Sequence, residues 1–295
     1  MKTVLITGSQ GALGSAVIAH LKQMGNYRVV ATGRQPVVGC QQSDQSYIQL
    51  DVRDREQMFS IIQSTQPSLV LHLAATFINN FEEAYAIHVD ATRHLLEAVQ
   101  LSGSRTRVLL VGSAAEYGIV RAEENPIDED RFQNPVSIYG LTKAWQTQLA
   151  RFYAILGVDV VVARIFNLDG PGLSDRLFIG RLQKQISEVL AGRRSNISLG
   201  SLDAIRDYVS TDEAAYQMLA IAEHGEVGRT YHVASGVPVM MREIFLRQLA
   251  FNNLDVSILQ ESLELSSHTG YSVPVIFANI TRTLELIKLR ELYVP

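Results

Sequence analysis

The chain has 295 residues, 47% of them hydrophobic, and a net charge of −4 from acidic and basic residues that are mixed along the sequence. This length supports one large domain or a domain with an appended lobe, and no basic or acidic block indicates nucleic-acid binding or a disordered tail. The single cysteine, Cys40, excludes an internal disulfide. With no signal peptide and no apolar run of membrane-spanning length, we expect a cytoplasmic protein without membrane contact.

The N-terminal residues predict a strand, a glycine-rich turn and a helix in direct succession. The apolar run 3–7 is typical of a buried strand, and helical spacing of apolar residues follows the turn. In such a turn Gly8 permits the tight bend, Gly11 lets a pyrophosphate approach the backbone and Gly14 lets the helix pack closely. The alternative is a glycine-rich turn without a ligand. The residues expected to bind a dinucleotide here are Gly8, Gln10, Gly11, Ala12, Leu13 and Gly14.

The second strand, 28–32, is followed by Gly33 and Arg34. An NAD site usually carries an acidic residue at this point, bonded to the ribose 2′-hydroxyl, and none is present. Arg34 can instead pair with a 2′-phosphate through charge-assisted hydrogen bonds. The alternative is a solvated loop arginine. We therefore expect NADP(H) as the cofactor, with NAD the less favoured choice.

Further strand-like runs alternate with helical patterns, which indicates βαβ units and a parallel sheet. Residues 1–166 therefore predict an α/β domain, a Rossmann-type doubly wound parallel sheet. Residues 207–233 return to this domain with a helix at 211–224 and a strand at 230–233. The runs that predict the remaining strands are 47–50, 69–73, 108–111 and 158–163.

The pattern changes after residue 166. Gly170-Pro-Gly172 breaks the alternation, and 181–190 predicts a separate helix. We expect residues 167–206 and 234–295 to form a small C-terminal substrate-binding lobe. This lobe would close over the carboxyl ends of the strands, where open α/β sheets bind their ligands.

Tyr139 and Lys143 stand four residues apart in a segment of helical pattern, so their side chains share one face. A nearby ammonium lowers the pKa of a phenol and lets it exchange a proton with an alcohol or ketone oxygen. The spacing alone is unspecific, because a solvated helix lysine produces it equally well.

Eight motifs follow one another along the chain. They are Thr7–Gly14, Leu50–Asp54, His72–Ala75, Gly112–Gly118, Tyr139–Lys143, Arg164–Gly172, Gln183–Ile186 and Leu199–Val209. Together these motifs resemble those of extended short-chain dehydrogenase/reductases, in the nucleotide-sugar epimerase, dehydratase and reductase branch. The resemblance covers residues 1 to about 245 and, within the branch, is greatest to GDP-4-keto-6-deoxy-mannose reductases, which form GDP-rhamnose. Such enzymes feed surface polysaccharide biosynthesis.

The resemblance implies a catalytic role for three residues. Ser113 bonds the reacting sugar oxygen, although a strand-end serine also commonly caps a turn. Tyr139 is the acid/base, and Lys143 holds the nicotinamide ribose and lowers the pKa of the tyrosine. On the cofactor side, Asp51 and Val52 contact adenine, with a helix cap as the alternative for Asp51.

Four further positions receive implied binding roles. Ala74 and Ala75 line the cofactor groove, unless they serve only in packing. Asn167 and Arg206 hold the diphosphate of a nucleotide-sugar substrate, unless Arg206 pairs at the surface with Asp207 or Asp203. Three histidines in apolar patterns, without zinc-site spacing, are expected to be core or surface residues, so no metal is predicted. They are His72, His88 and His94.

Two activities of this branch are disfavoured because residues that they need are missing. The 4,6-dehydratases carry Asp-Glu directly after the hydroxyl residue, where this chain has Ala114 and Ala115. The 3,5-epimerase-reductases typically use a cysteine and a histidine in the substrate pocket, whereas Cys40, the single cysteine, follows the second strand on the cofactor side. Two redox outcomes remain, a 4-keto reductase that consumes NADPH and a 4-epimerase that retains NAD. A third class, a non-catalytic NADP(H)-binding module, is opposed by the presence of all three catalytic residues.

The sequence also allows expectations about the dimer interface and about the segment 266–279. The family pattern implies a homodimer in which helices 84–101 and 139–156 form a four-helix bundle, unless their apolar stripes simply cover the sheet. Residues 266–279 contain no Arg or Lys, although relatives often place an arginine there for the nucleotide. His268 or Tyr271 could substitute for it.

Overall fold

The computed structural model describes residues 1–36, 45–262 and 273–293. Within these residues, seven parallel strands form the central sheet, in the spatial order β3-β2-β1-β4-β5-β6-β10. The strands in the described residues are β1 Lys2–Thr7, β2 Tyr27–Gly33, β3 Gln45–Gln49, β4 Leu69–His72, β5 Arg107–Ser113, β6 Val160–Ile165, β7 Asn167–Asp169, β8 Ile197–Leu199, β9 Ile205–Ser210, β10 Thr230–Val233, β11 Pro238–Met240, β12 Leu259–Glu261 and β13 Val275–Ile276.

Helices cover both faces of this sheet. Apolar side chains of α1, α7 and α9 pack on one face, and those of α2, α4 and α5 pack on the other. The predicted Rossmann-type doubly wound fold is therefore confirmed. The helices are α1 Ala12–Met24, α2 Arg55–Thr65, α3 Phe81–Tyr85, α4 Ala91–Ser102, α5 Ile138–Ile155, α6 Phe178–Leu190, α7 Thr211–His224, α8 Met241–Phe251 and α9 Thr281–Tyr293.

The sheet has its switch point between β1 and β4, because the chain builds outward from β1 to β3 and then returns to the other side of β1. Ligands of open α/β sheets bind at the carboxyl ends of the strands at such a point. The loops after β1 and β4 meet here so closely that a Cβ on Gly8 would lie 2.8 Å from the backbone nitrogen of Ala74.

A smaller layer follows β6. Strands β7, β11 and β13 each pair with β9, and β8 pairs with β12. Helices α6 and α8 contribute Leu182 and Phe245 to an apolar cluster in this layer. Helix α6 begins at Phe178, three residues before the predicted start at Arg181. The division into two lobes that we expect from the sequence remains a proposal. Helix α9, which lies within the 234–295 segment expected in the smaller lobe, instead packs with the large sheet, since Leu286 joins the apolar core that contains the buried residues of α7.

The helix expected at 84–101 is divided. Between α3 and α4 the residues Ala86–Asp90 form a π-helical turn, which buries Ile87, His88 and Val89. No helix in the described parts of the chain combines the length and the apolar character needed to cross a membrane.

Candidate active site

A continuous cavity of about 1300 Å³ opens at the carboxyl ends of the strands. Its lining runs from the end of β2 past β5 to the smaller layer at β8 and β9. Pockets for a single small ligand usually enclose about 300–1,000 Å³. This cavity therefore has room for two ligands that meet near β5, where Ser113, Tyr139 and Lys143 line it.

The glycines after β1 have different roles. Gly8 has a φ of 69°, and a Cβ on Gly14 would lie 2.5 Å from the backbone oxygen of Ser9, so the fold itself requires both glycines. A Cβ on Gly11 would meet only the oxygen of Gly8, at an ordinary 3.5 Å. Because Gly11 starts α1 without a side-chain cap, the first N–H groups of the helix are available to a phosphate.

The cavity end beside β2 is lined by Gly33 and by Arg34, Asp51 and Val52, the residues that the sequence assigned to the cofactor. Hydrogen bonds from Arg53 lower the pKa of Asp51. Asp51 does not cap the next helix, because Asp54 accepts the Gln57 N–H at 3.0 Å and begins α2.

Arg34 is exposed at the end of β2, and its guanidinium forms no ion pair with any described residue. The cation is therefore available to a phosphate of a ligand. Together with the open approach to Gly11, this geometry fits a dinucleotide cofactor. The other predicted cofactor contacts, Gln10, Ala12, Leu13, Ala74 and Ala75, also line the cavity.

Ser113 and Tyr139 meet where β5 ends and α5 begins. The Ser113 hydroxyl accepts the Ala115 N–H at 3.2 Å, so the serine also caps a short turn. Burial raises the pKa of Tyr139 to about 12, and its hydrogen bond with Ser113 opposes that rise. Tyr139 consequently holds its proton at neutral pH.

Lys143 is buried one turn further along α5, with 1% of its surface exposed. Its Nζ donates to the Val111 oxygen and to Gln146 Oε1, each at 2.8 Å, and burial lowers the pKa of Lys143 to about 8. The expectation that Lys143 lowers the pKa of Tyr139 is wrong for this structure. The ammonium is directed at Val111 and Gln146, and desolvation of the phenol dominates.

A buried ion pair between Glu116 and Arg164 holds the backbone of Ser113 in place through a hydrogen bond. Glu116 and Arg164 have fully buried side chains that meet at 2.8 Å, and Glu116 Oε1 accepts the Ser113 N–H at 2.6 Å. Thr147 also donates to Glu116, at 2.9 Å. The sequence reasoning missed this role. Glu three residues after a strand-end Ser is a capping box, and that signal was available.

Two aromatic rings flank Tyr139, and neither was singled out as functional. The Phe77 ring lies 5.1 Å from the Tyr139 ring, and the His88 ring lies 5.4 Å away at 82°. His88 Nε2 accepts the Thr76 N–H at 3.1 Å, and Nδ1 contacts Thr142 Oγ1 at 2.8 Å. Of the two places expected for His88, core or surface, the structure shows the core.

The two other histidines are also buried, but each has one ring nitrogen without a hydrogen-bond partner among the described residues. His72 Nδ1 lies 2.8 Å from Thr7 Oγ1, and His94 Nε2 lies 3.2 Å from Arg93 Nη2, whereas His72 Nε2 and His94 Nδ1 have no partner. No cluster of metal ligands occurs among the described residues.

Asn167 and Arg206 line the part of the cavity beyond β6. Asn167 Nδ2 donates to the Asp207 oxygen at 3.0 Å, and Arg206 Nη1 donates to the Ile205 oxygen at 2.8 Å. Burial lowers the pKa of Arg206.

The alternative surface pairing of Arg206 is wrong. The Asp207 carboxylate accepts N–H groups of Ser235, Gly236 and Ala278, and Asp203 pairs with Arg242 at 2.9 Å. A half-buried guanidinium without a carboxylate partner among the described residues suits an anionic ligand. Cys40, His268 and Tyr271 lie outside the described residues.

Residues 4–234 match the sequence profile of the NAD dependent epimerase/dehydratase family. A GDP-6-deoxy-D-mannose reductase of Pseudomonas aeruginosa is 29% identical over 202 residues, and the match spans 66% of this chain and 66% of the relative, just under two thirds of its length. A UDP-glucose 4-epimerase of Streptomyces lividans is 30% identical over 238 residues, which are 74% of this chain and 70% of the relative.

The fold also matches a solved structure. The structure of RMD from Pseudomonas aeruginosa complexed with NADPH superimposes with a TM-score of 0.82 at 21% identity, covering 98% of this chain and 93% of that chain. At this identity the match establishes the architecture. The near-equal identities to a reductase and an epimerase leave the reaction to be argued from the site.

Proposed function

Because the chain belongs to the NAD-dependent epimerase/dehydratase family, we propose that it is an NADPH-dependent reductase acting on a nucleotide-linked 4-keto-6-deoxyhexose. The observation that carries this proposal is the composition of the site. Ser113, Tyr139 and Lys143 line one cavity with Arg34, and the two positions after Ser113 are alanines that cannot move a second proton. A site that starts with a phenol is prepared to donate a proton to a ketone.

The chain's own residues provide positioning and proton transfer. NADPH, when bound, supplies the hydride that reduces C4 of the sugar. Ser113 donates a hydrogen bond to the ketone oxygen and polarises it, and Tyr139 protonates the same oxygen as the hydride arrives. Lys143 would hold the nicotinamide ribose and return a proton to Tyr139 through that ribose and water.

The choice of NADPH rests on Arg34. A guanidinium presents a planar, always charged fork that matches a 2′-phosphate, and the end of β2, where an NAD site carries an acidic residue, has no carboxylate. An enzyme that consumes NADPH and releases NADP⁺ is a reductase. A 4-epimerase would retain NAD and return its hydride to the same substrate.

The diphosphate of the substrate is assigned to Arg206 and Asn167. Arg206 is a desolvated cation without a carboxylate partner among the described residues, and a diphosphate would supply the missing charge. The similarity to a GDP-6-deoxy-D-mannose reductase favours GDP-4-keto-6-deoxy-mannose as the substrate and a GDP-rhamnose type of product. Such a product serves surface polysaccharide biosynthesis in the cytoplasm.

The assembly we propose is a homodimer through α5 and the α3–α4 segment. Leu95, Leu96 and Val99 are buried against the sheet, so these α4 residues do not form the contact. On α5, however, Trp145 and Phe152 are exposed at 37% and 54%. They stand two helical turns apart on one face, which suits an isologous interface with a second copy.

The test is NADPH oxidation with freshly prepared GDP-4-keto-6-deoxy-mannose, beside the dTDP-linked 4-keto-6-deoxy-glucose. Oxidation with one of them, reduced on the order of 10³-fold in Tyr139→Phe while NADPH binding persists, would support the proposal. Oxidation with neither, together with tightly retained NAD and interconversion of two C4 epimers, would establish a 4-epimerase instead. Bound NADPH with no turnover in any assay would indicate a binding module.

A further inference from the structure

Phe77 places an apolar ring in the cavity next to the proton donor. The ring lines the cavity, its side chain is 36% exposed, and its centre lies 5.1 Å from that of Tyr139. A large apolar side chain that stays partly exposed inside a binding cavity offers its surface to a ligand.

Both sides of the Phe77 backbone are held by other elements. On one side, the preceding Thr76 N–H donates to His88 Nε2 at 3.1 Å, within the π-helical turn. On the other side, Arg176 Nη1 donates to the Phe77 oxygen at 3.2 Å, from the segment that leads into α6. The backbone that carries the ring is thus held on both sides, and a well-positioned wall discriminates between ligands better than a mobile one.

The chemistry of the substrate brings one particular group to this wall. Tyr139 must reach O4 within hydrogen-bond distance to protonate it. In a hexose, C6 is only three bonds from O4, so C6 lies among the groups that surround the Tyr139 hydroxyl. The cavity lining includes the apolar residues Phe77, Ala114, Ala115 and Val136, while Ser113 and Ser137 contribute hydroxyl groups to it.

We propose that Phe77 is a specificity-determining residue, whose ring packs against the C6 methyl group and selects 6-deoxy sugars against sugars that carry a C6 hydroxyl. The inference rests on the proposed reduction at C4. A hydroxyl pressed against the ring would lose its water without gaining a partner. Apolar pockets reject an added hydroxyl only moderately, by up to about 10²-fold in kcat/KM.

The test compares two substrates that share one nucleotide, the 4-keto-6-deoxy sugar and the 4-keto sugar with a C6 hydroxyl. Wild-type protein is expected to prefer the 6-deoxy substrate by about tenfold or more in kcat/KM. Phe77→Leu keeps an apolar wall and should retain most of that preference. Phe77→Asn offers a hydrogen-bond partner and should bring the ratio to within about threefold of unity. Phe251→Asn, on the exposed side of α8, is the control.

The readouts separate the possible failures. If Phe77→Asn slows both substrates by the same factor and leaves their ratio unchanged, Phe77 only supports Tyr139 and the inference is overturned. If wild-type protein oxidises NADPH with neither substrate, the proposed function itself fails, and the inference fails with it. NADPH affinity, measured by fluorescence for each variant, establishes that the Asn variant is folded. A lost preference with unchanged NADPH affinity would support the inference.

Discussion

Burial shifts the pKa values of Tyr139 and Lys143 in opposite directions. It raises the pKa of Tyr139 and lowers that of Lys143, because a desolvated group favours its neutral form. The site therefore contains a phenol that is protonated throughout the physiological range and an amine that titrates near it. This combination suits a reaction that begins with proton donation.

A pH dependence follows from Lys143. If its ammonium returns the proton to Tyr139, kcat for reduction should be constant below about pH 8 and fall as the pH rises through that value, since the required form is the protonated one. Tyr139, with a pKa of about 12, should not contribute to this fall. The measurement is kcat against pH at saturating NADPH.

Lys143→Arg is the matched control for this profile. Arginine stays charged at every accessible pH, so the variant should be slower and its profile should lose the alkaline fall. An unchanged alkaline fall in Lys143→Arg would assign it to another group and contradict the proposed role of Lys143.

Site residues that are neighbours along the chain could be predicted from the sequence, whereas site residues that meet only after the chain folds could not. Tyr139 and Lys143 follow from helical spacing, and the glycine turn follows from its strand and helix context. Phe77 and His88 reach Tyr139 only after β4, the π-helical turn and α5 pack together. The direction of the Tyr139 pKa shift was also misjudged, because spacing reveals a neighbouring charge but not the degree of burial.

At the scale of secondary-structure elements, two glycines of the turn between β1 and α1 are expected to differ: Gly14 is needed for folding and Gly11 for cofactor binding. Gly14→Ala should lower the free energy of unfolding by about 1–3 kcal/mol, because its Cβ would lie 2.5 Å from the Ser9 oxygen. Gly11→Ala meets no such obstacle and should leave the melting temperature nearly unchanged. It should nevertheless raise the Kd for NADPH about tenfold or more, because the methyl group would occupy the approach of the pyrophosphate.

Thermal unfolding and NADPH titration of both glycine variants check this prediction. If Gly11→Ala bound NADPH as tightly as wild-type protein, the pyrophosphate would not lie over this turn.

The Glu116–Arg164 ion pair joins the end of β5 to β6. Glu116→Gln leaves a buried guanidinium without its charge partner and should cost about 3–5 kcal/mol of unfolding free energy. Urea unfolding provides the measurement. Asp175→Asn, which breaks the exposed pair with Lys184, is the control and should have almost no effect. A Glu116→Gln loss as small as that of the control would show that the pair does not support the site.

At the level of the whole molecule, most of the architecture was predictable. Each strand of the large sheet was predicted at its position to within a few residues, because buried parallel strands form continuous apolar runs. The family predicted from the motifs is confirmed by the profile match over 4–234. The layer formed by α6, α8 and the short strands was only outlined, since two- and three-residue strands such as β13 leave no periodic pattern.

The proposed dimer is also tested at this scale. Phe152→Asp puts a charge on the exposed face of α5 and should shift the protein from dimer to monomer in light scattering, with little change in the unfolding of the isolated chain. Phe251→Asp on α8 should leave the dimer intact. Equal masses for wild-type protein and the Phe152 variant would exclude this face as the interface.

The most direct test of the central claim follows the hydride itself. NADPH carrying deuterium at the transferable position of the nicotinamide is mixed with the GDP-linked 4-keto-6-deoxy sugar, and the product is examined by mass spectrometry and NMR. If the protein is the proposed reductase, we expect one deuterium at C4 of the 6-deoxy sugar for each NADP⁺ released into solution. Product without deuterium, formed while the protein keeps its cofactor, would contradict the reductase and assign the site to an epimerase.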